Sequence, residues 1–467
     1  MAPATDPRLP RRTLTLTSVV VFMVSLEITV IALAFTEIEA AFPDSSPRLL
    51  SWVITAYNIG VASLLLLSGW WADSSGRRRV FAIGLVLFGL GSLLATLAWS
   101  GPVLIAARVV QSIGGAVQYP AGLALLLEAY PFERRQGAIG IWAGMGALAA
   151  ALGPSLGGLL VDAFGWRSVF AINVPVALVG AALVPRWLEE STGETGDGRV
   201  DVLSVPMASL GIGAVLLGIV QAEEWGYGSP AFVASIAVGL FLVAVFLVRS
   251  RRHPAPLLDL DLFRIRSYSV GNLGAVAFTI AFFSWLITLP SFVQDTWGWS
   301  IRQTGFAIAP APFLSMFLSP LAGRLGDRIG SRPLLMVSGL AGASGLLLQR
   351  AFVDEDPDFV MGLLIPGFLV GIAAGTGFAM LVAAIMLDVP PARFGMAGAA
   401  RTTIFQLGVA AAVAIGFAIA EGDATGAVSR IHRLWLVGAG CYLAQFLVFA
   451  FMFDEARSSS RLGAAEV

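Results

Sequence analysis

The sequence predicts an all-α integral membrane protein with fourteen transmembrane helices. Of its 467 residues, 57% are hydrophobic and 13% are charged, whereas soluble globular chains carry about 25% charged residues. The apolar residues form runs of about 20, which is the helix length that crosses a bilayer core of about 30 Å. We expect helices at about 14–36, 51–71, 80–99, 102–125, 137–163, 168–187, 203–221, 230–248, 269–292, 303–322, 333–352, 359–385, 396–420 and 433–453.

The arginines predict how these helices are oriented. The first apolar run is too long for a signal peptide and contains Glu27, so we expect it to remain in the mature protein. Twenty-one arginines fall on one side of the alternating loops and six on the other. Because positive residues are enriched in cytoplasmic loops, both termini are expected in the cytoplasm. Exclusive use of arginine and 52 glycines suggest G+C-rich coding, and hence a bacterial inner (cytoplasmic) membrane.

The composition argues against several other classes of protein. All 29 basic residues are arginine, so lysine-dependent phosphate loops and Schiff bases cannot form. The two histidines, His253 and His432, lie in connecting segments, and Cys441 is the single cysteine. A net charge of -1 gives no basic footprint for nucleic acid. We therefore expect no enzyme activity, no metal and no nucleic-acid partner, and no cofactor other than the proton motive force.

An internal repeat divides the chain. Residues 69–79 read G-W-W-A-D-S-S-G-R-R-R and residues 323–332 read G-R-L-G-D-R-I-G-S-R, so both contain G-x-x-[AG]-D-x-x-G-x-R. Eight predicted helices separate the copies, which predicts two six-helix bundles, 1–187 and 269–467, around a two-helix insertion at 188–268. Repeated halves are typical of secondary transporters. The candidate gating residues are Gly69, Asp73, Gly76, Arg77, Arg78, Gly323, Asp327, Arg328, Gly330 and Arg332.

The first copy resembles G-x-L-A-D-R-x-G-R-K, the cytoplasmic signature of the major facilitator superfamily. L-E-I-T-V at 26–30, R-V-V-Q-S-I-G-G at 108–115 and a glycine pattern in the fifth helix resemble motifs of its fourteen-span drug:proton antiporters. That pattern is Gly140, Gly153, Pro154, Gly157 and Gly158. In this chain Glu27 replaces the usual aspartate, and Ser74 replaces an arginine of the cytoplasmic gate. The resemblance implies a major facilitator fold and proton-coupled export.

Glu27 is the candidate proton carrier. It lies 13 residues into the first predicted helix, about 20 Å along it. A carboxylate at such depth costs about 2.5 to 3.5 kcal/mol, and ionisable groups inside membranes usually mark proton or substrate paths. The alternative is a structural carboxylate satisfied by a neighbouring helix.

Arg108 is expected to tune that carrier. It shares one face of the fourth helix with small and polar residues, and that face should turn away from lipid. An unpaired guanidinium at this depth is improbable, so Arg108 should contact a carboxylate or another acceptor; alternatively, it reaches toward the headgroups. The other members of the face are Gln111, Ser112, Gly115, Tyr119 and Gly122.

Two features are predicted to act in gating. Asp73 should meet the N-terminus of the helix that starts near Gly395, where a negative charge is favoured; the alternative is a plain positively charged loop. Gly153, Pro154, Gly157 and Gly158 should allow close helix approach and a bend. This strip serves either the rocking of one half against the other or plain packing.

Aromatic and polar side chains within the helices are candidates for contact with an amphipathic substrate, since large faces with few fixed hydrogen bonds suit lipophilic cations. Packing is the alternative for each of them. Asp295, which ends a helix, is expected to be solvated, and a second proton or cation site is the alternative. The candidates are Tyr57, Asn58, Gln111, Gln118, Tyr119, Trp142, Phe282, Phe283, Trp285 and Gln406.

These observations favour a monomeric antiporter that exports lipophilic or cationic compounds in exchange for protons. Its partners would be a small amphipathic substrate, protons and membrane lipid. A lipid or an endogenous secondary metabolite is the alternative cargo, and a proton-coupled importer is a further alternative. A membrane enzyme or receptor is disfavoured because no soluble domain and no nucleophile-base pair are found.

Overall fold

The computed structural model describes residues 7–192, 201, 203–226, 228–254, 256–421 and 426–455. Within these ranges all regular structure is helical. The helices are α1 (Leu9–Ala41), α2 (Pro47–Ser75), α3 (Arg77–Thr96), α4 (Gly101–Ala129), α5 (Arg135–Phe164), α6 (Arg167–Ala171), α7 (Asn173–Trp187), α8 (Ser204–Val220), α9 (Ala222–Trp225), α10 (Pro230–Arg252), α11 (Arg266–Trp297), α12 (Ile301–Ile308), α13 (Pro310–Ile329), α14 (Ser331–Phe352), α15 (Ile365–Met386), α16 (Phe394–Glu421) and α17 (Ala427–Leu447).

The predicted all-helical membrane fold is confirmed. In the described part of the chain, thirteen helical segments are long and apolar enough to cross a bilayer. The predicted seventh span is α8, which is apolar but has only 17 residues, the lower end of the range that spans a membrane. Large apolar side chains are exposed along the helices, as expected where lipid replaces water. Among them are Phe241, Phe313, Phe317 and Phe451.

Helix starts follow local sequence signals. The side chain of Ser46 accepts a hydrogen bond from the Leu49 amide at 3.2 Å, and Pro47 then opens α2. Ser229 caps α10 in the same way. Gly76 and Gly330 precede α3 and α14 with φ of 102° and 83°, a backbone conformation that side chains rarely tolerate. The two repeat motifs therefore end in equivalent tight turns.

Contacts divide the chain into two compact units. Unit 1 comprises Met1–Pro131, Leu152–Leu260 and Pro390–Thr403, and unit 2 comprises Phe132–Ala151, Asp261–Val389 and Ile404–Val467. The predicted boundaries at 187 and 268 follow the sequence repeat instead. The two descriptions differ because residues 135–151 of α5 and residues 394–403 of α16 pack outside their own repeat.

Unit 1 is built around the close approach of α3 and α4. A Cβ added at Gly84 would lie 2.8 Å from the Gln118 amide nitrogen, so the two helix backbones approach without an intervening side chain. An apolar cluster fills the space between these helices and α1, α2 and α7. Its members include Leu16, Val20, Phe81, Leu85, Phe88, Val117 and Leu125.

The insertion is an α8–α10 pair that packs on α2. Asp201 ties its two ends together, because its carboxylate accepts hydrogen bonds from the Ser204 hydroxyl at 2.5 Å and from Arg249 Nε at 2.6 Å. Desolvation alone would raise the pKa of Asp201, but these hydrogen bonds outweigh it and hold the pKa below its usual range.

In unit 2 the first part of α5 packs closely on α13. A Cβ at Gly140 would lie 2.5 Å from the Ser319 carbonyl oxygen and 2.8 Å from Gly323 Cα. Gly144 approaches the ring of Pro320 in the same groove. Further along α5, in unit 1, a Cβ at Gly158 would meet nothing within 4 Å.

These two glycines make a matched pair of substitutions on one helix. Gly140→Ala should destabilise the protein by about 1 to 3 kcal/mol, because the new methyl group overpacks the contact. Gly158→Ala should leave stability unchanged or raise it by up to about 1 kcal/mol, because alanine favours helix. Thermal unfolding of the purified variants in detergent measures both effects. Equal midpoints for the two variants would contradict the close contact at Gly140.

Candidate functional site

Six charged side chains are buried in the described part of the chain. Their environments differ, and the differences point to the candidate site. Asp201 belongs to the insertion. The other five are Glu27, Asp73, Arg77, Arg108 and Arg401.

Glu27 and Arg108 form a buried ion pair between α1 and α4. Each side chain is 1% exposed, and Arg108 Nη1 donates to Glu27 Oε1. The other carboxylate oxygen of Glu27 accepts a hydrogen bond of 2.6 Å from Asn173 Nδ2 at the start of α7. The prediction that Arg108 contacts a carboxylate is confirmed, and its alternative, an arginine that reaches the headgroups, is wrong.

Further contacts hold Arg108 in place. Its Nη1 donates to Gln111 Oε1 at 2.6 Å, and its Nε donates to the carbonyl oxygen of Val53 in α2 at 2.8 Å. The Gln111 amide in turn donates to Ser92 in α3 at 2.8 Å. The guanidinium carbon lies 4.2 Å from the Tyr57 ring centroid, within cation-π range. Gln111 and Tyr57, predicted as substrate contacts, thus belong to the ion-pair site.

A helix break helps to form this site. Ile172 separates α6 from α7 shortly before Pro175, so Asn173 is the first residue of α7. A cavity of about 10 Å³, close to what one water needs, borders Glu27 and Asn173. A carboxylate with an ionic partner, an amide partner and a small adjoining space can exchange a proton when a conformational change brings water to it.

The first repeat motif contacts a helix start in the predicted way. Asp73 accepts hydrogen bonds from the backbone amides of Gly395 at 3.0 Å and Met396 at 2.7 Å, at the start of α16. The predicted contact with that helix is confirmed. A Cβ at Gly69 would overlap the Gly395 carbonyl, so glycine is required for this approach. Arg77 bonds Asp73 at 2.7 Å and the Pro391 carbonyl oxygen at 2.7 Å, and it also pairs with Glu128.

The second motif repeats this geometry in unit 2. Asp327 accepts the backbone amide of Gly137 at 3.0 Å, on the first turn of α5. A Cβ at Gly323 would lie 2.5 Å from the Gln136 carbonyl oxygen. Arg328 is exposed. Both motif carboxylates thus cap the first turn of a long helix, where a negative charge is favoured by about 0.3 to 1 kcal/mol.

Two glutamates that sequence reasoning missed cap the helices after the motif turns. Glu190 accepts the Arg78 amide at 2.9 Å on α3, and Glu455 accepts the Ser331 amide at 3.0 Å on α14. Arg332 donates to the carbonyl oxygen of Phe449 at 3.0 Å. The sequence did carry one signal for these two glutamates. They occupy equivalent positions, because each follows the last helix of its repeat.

The remaining predicted residues are distributed between the interior and the surface. Trp142 is buried, and Trp285 is buried with its Nε1 donating to Gln349 at 2.8 Å. Asn58 and Asp295 are exposed. Gly153 and Gly157 are buried and Gly158 is half-buried within α5, whereas the side chain of Pro154 lies outside the described residues.

A wall of phenylalanines in unit 2 includes Phe282 and Phe283 of α11. Phe378 lies 5.1 Å from Phe282 and Phe405 lies 5.7 Å from Phe283, by ring centroids. These four rings are half-buried, so the wall presents open aromatic faces. Such faces can hold flat apolar groups.

Asn173 and Arg401 also escaped prediction as site residues. The role of Asn173 depends on α7 folding back beside α1, where it reaches Glu27. Arg401 carried a clear signal, because it stands in a long apolar run as Arg108 does. It is 7% exposed and is hydrogen-bonded to Tyr119 of α4.

Comparison with known proteins places the chain among transporters. A model of the Major Facilitator Superfamily matches residues 17–413 and, in a second match, 271–467. The multidrug resistance protein Stp of Mycobacterium tuberculosis is 32% identical over 412 residues, which cover 87% of this chain and 74% of Stp. The methylenomycin A resistance protein of Bacillus subtilis is 28% identical over 432 residues, which cover 92% of each chain.

Solved structures agree on the fold. The proton:xylose symporter XylE, bound to a bromodeoxyglucose, superposes with a TM-score of 0.68 over 95% of this chain and 96% of that one. The sequence identity is 16%, so this likeness concerns the fold alone.

Proposed function

The chain belongs to the Major Facilitator Superfamily, a family of membrane-embedded transporters of small molecules, and from this premise we propose that it is a proton-coupled antiporter that exports lipophilic drugs or toxic compounds. The relatives named for multidrug and methylenomycin A resistance support this direction and class of cargo. The proposed setting is the bacterial cytoplasmic membrane, with both termini in the cytoplasm and the protein acting as a monomer.

The buried ion pair of Glu27 and Arg108 is the observation that carries the proposal. Two opposite charges in a low-dielectric interior attract strongly, and loss of one partner leaves the other uncompensated. A proton on Glu27 removes its charge and weakens its bonds to Arg108 and Asn173. Proton binding therefore changes the relative energies of conformations that do and do not hold this pair, which is what coupling requires.

The motif turns supply the proposed gate. Asp73 and Asp327 each hold the first turn of a long helix through backbone amides. Each aspartate makes only a few hydrogen bonds to its helix, and these would be lost together if that helix moved away. The same contacts, made in one conformation and broken in the other, would form a two-state element on the cytoplasmic side.

The phenylalanine wall supports a lipophilic cargo. Its half-buried rings offer dispersion and cation-π contact without demanding a fixed hydrogen-bond pattern. Broad selectivity follows from such a surface, because flat apolar groups of different outline can pack on it.

Glu27 gives the direct test of proton coupling. Glu27→Gln should abolish export driven by a pH gradient in everted vesicles, because an amide cannot exchange the proton, while binding of a fluorescent cation remains measurable. Glu27→Asp should keep much of the activity. The matched control is Glu39→Gln, the same change on the same helix at a half-buried residue outside the pair. Full activity of Glu27→Gln would eliminate Glu27 as the carrier.

The vesicle assay also separates the candidate cargoes. Pumping of several unrelated dyes and antibiotics supports a drug exporter. If none is pumped while a deletion strain accumulates a lipid or a metabolite, the alternative cargo is favoured. Net uptake into intact cells would favour an importer.

Asp73 gives the test of gating. Asp73→Asn weakens the charged cap on α16, so turnover should fall about fivefold, the equivalent of about 1 kcal/mol. Substrate affinity should change less than twofold, because Asp73 acts on the populations of conformations. Asp261→Asn, an exposed position beside Arg264, is the control. A change confined to affinity would contradict the gating role.

A further inference from the structure

Arg401 is a buried cation that belongs neither to the Glu27–Arg108 ion pair nor to the proposed gate at Asp73 and Asp327. It lies in α16 about two turns after the first-turn residue Gly395, and 7% of it is exposed. Within the described residues, its hydrogen-bond partners are two hydroxyl groups, those of Tyr119 and of Thr402, the latter at 3.2 Å. Its Nε has no hydrogen-bond partner in that part of the chain.

The other deeply buried arginines in unit 1 differ from Arg401. Arg108 pairs with Glu27, and Arg77 pairs with Asp73 and Glu128. The buried carboxylates of α1 and α2 are thus engaged elsewhere. No ion pair of Arg401 is found among the described residues.

A buried guanidinium without a carboxylate is expensive in a membrane protein. An arginine near the centre of a membrane helix costs about 2.5 to 3.5 kcal/mol on insertion scales, and such residues usually face a partner or a functional path. The cost of leaving Nε without an acceptor adds to this. Retention of the charge indicates that an anion completes the site at some stage of the cycle.

The geometry of arginine indicates which anion. The Nε–H and one Nη–H form a planar fork that matches the two oxygens of a carboxylate. The hydroxyl groups of Tyr119 and Thr402 accept hydrogen bonds from this guanidinium, and the Thr402 hydroxyl itself donates to the Gly398 carbonyl oxygen at 2.8 Å. Recognition of a carboxylate therefore falls to the guanidinium. One turn before Arg401, a Cβ at Gly398 would lie 3.5 Å from a methyl carbon of Leu123, so α16 meets an apolar part of α4 there.

We propose that Arg401 binds the carboxylate of the transported compound. The inference rests on the proposed export function and narrows its cargo to amphipathic acids and zwitterions, rather than simple lipophilic cations. Arg401 anchors the acid group, while apolar surface holds the remainder of the molecule.

Two dyes with one ring system test this inference. Tetramethylrhodamine carries a free carboxylate, and its methyl ester lacks the anionic charge. Fluorescence anisotropy of each dye with the purified full-length protein measures binding. The wild type should bind the acid at least tenfold more tightly than the ester, as expected for a charged hydrogen bond. Arg401→Gln should remove this preference, and Arg401→Lys should keep part of it.

Two further variants separate binding from a structural role. Tyr119→Phe removes one hydroxyl that holds Arg401 but leaves the guanidinium, so part of the preference for the acid should persist, whereas Arg401→Gln should abolish it. If Arg401 serves only to join α4 and α16, Tyr119→Phe and Arg401→Gln should lower the melting temperature alike and neither should alter the preference. Arg324→Gln, at an exposed position, controls for loss of one positive charge. If Arg401→Gln does not fold, the lysine and phenylalanine variants decide.

Several outcomes would overturn the inference. Equal binding of acid and ester by the wild type, or a preference that survives in Arg401→Gln, contradicts it. If neither dye binds, thermal stabilisation by benzoate and naphthoate is compared with that by their methyl esters; no preference for any acid also contradicts it. Stabilisation by chloride alone that requires Arg401 would assign the site to an inorganic ion instead. Continued export of cations in these cases leaves the proposed function intact.

Discussion

The structure depends on one constraint, which is that a charge placed inside a bilayer must be matched within the protein. The bilayer core offers neither water nor counter-ions, so each buried charge selects the neighbours that can satisfy it. Glu27 draws α1, α4 and α7 together through Arg108 and Asn173. Gln111 of α4 and the Val53 carbonyl of α2 then hold Arg108, and Ser92 of α3 holds Gln111. One carboxylate and its partners thereby connect five helices of unit 1. A change in its protonation would alter the hydrogen bonds that join them.

The two copies of the sequence repeat form equivalent helix-capping turns. In each repeat, a glycine permits close helix approach, and an aspartate four residues later caps the first turn of a distant helix. A positive-φ glycine follows, and a glutamate from the end of the same repeat caps the next helix. Backbone amides at a helix start are available donors with a favourable dipole, so these caps need no partner side chain. Such contacts can be remade repeatedly without chemical change, which suits the proposed alternation between conformations.

Arg401 differs from the other buried charges of the spanning helices in the kind of partner that it has. The other buried charges of the spanning helices have an opposite charge or a set of backbone amides, whereas Arg401 has hydroxyl groups from Tyr119 and Thr402. Within the part of the chain that the structure describes, this charge lacks an opposite one, as is expected where a ligand supplies the missing group. Under the proposed binding role, the cation of unit 1 favours a cargo that carries an acid group.

The sequence alone determined the class of fold, the number of apolar segments, the repeat and the identity of Glu27, Arg108 and Asp73, because apolar runs, glycine spacing and isolated charges are local signals. It also predicted the contact of Asp73 with the helix near Gly395, since a capping carboxylate needs a helix start. It did not indicate that Asn58 is exposed or that Gln111 holds Arg108, because the facing of a polar side chain depends on helix rotation and on the neighbour that it meets. The partners Asn173, Glu190 and Glu455, and the passage of parts of α5 and α16 into units outside their own repeat, were decided by tertiary structure. Those contacts join residues far apart in the chain, and no local pattern encodes which distant donor will reach a given acceptor.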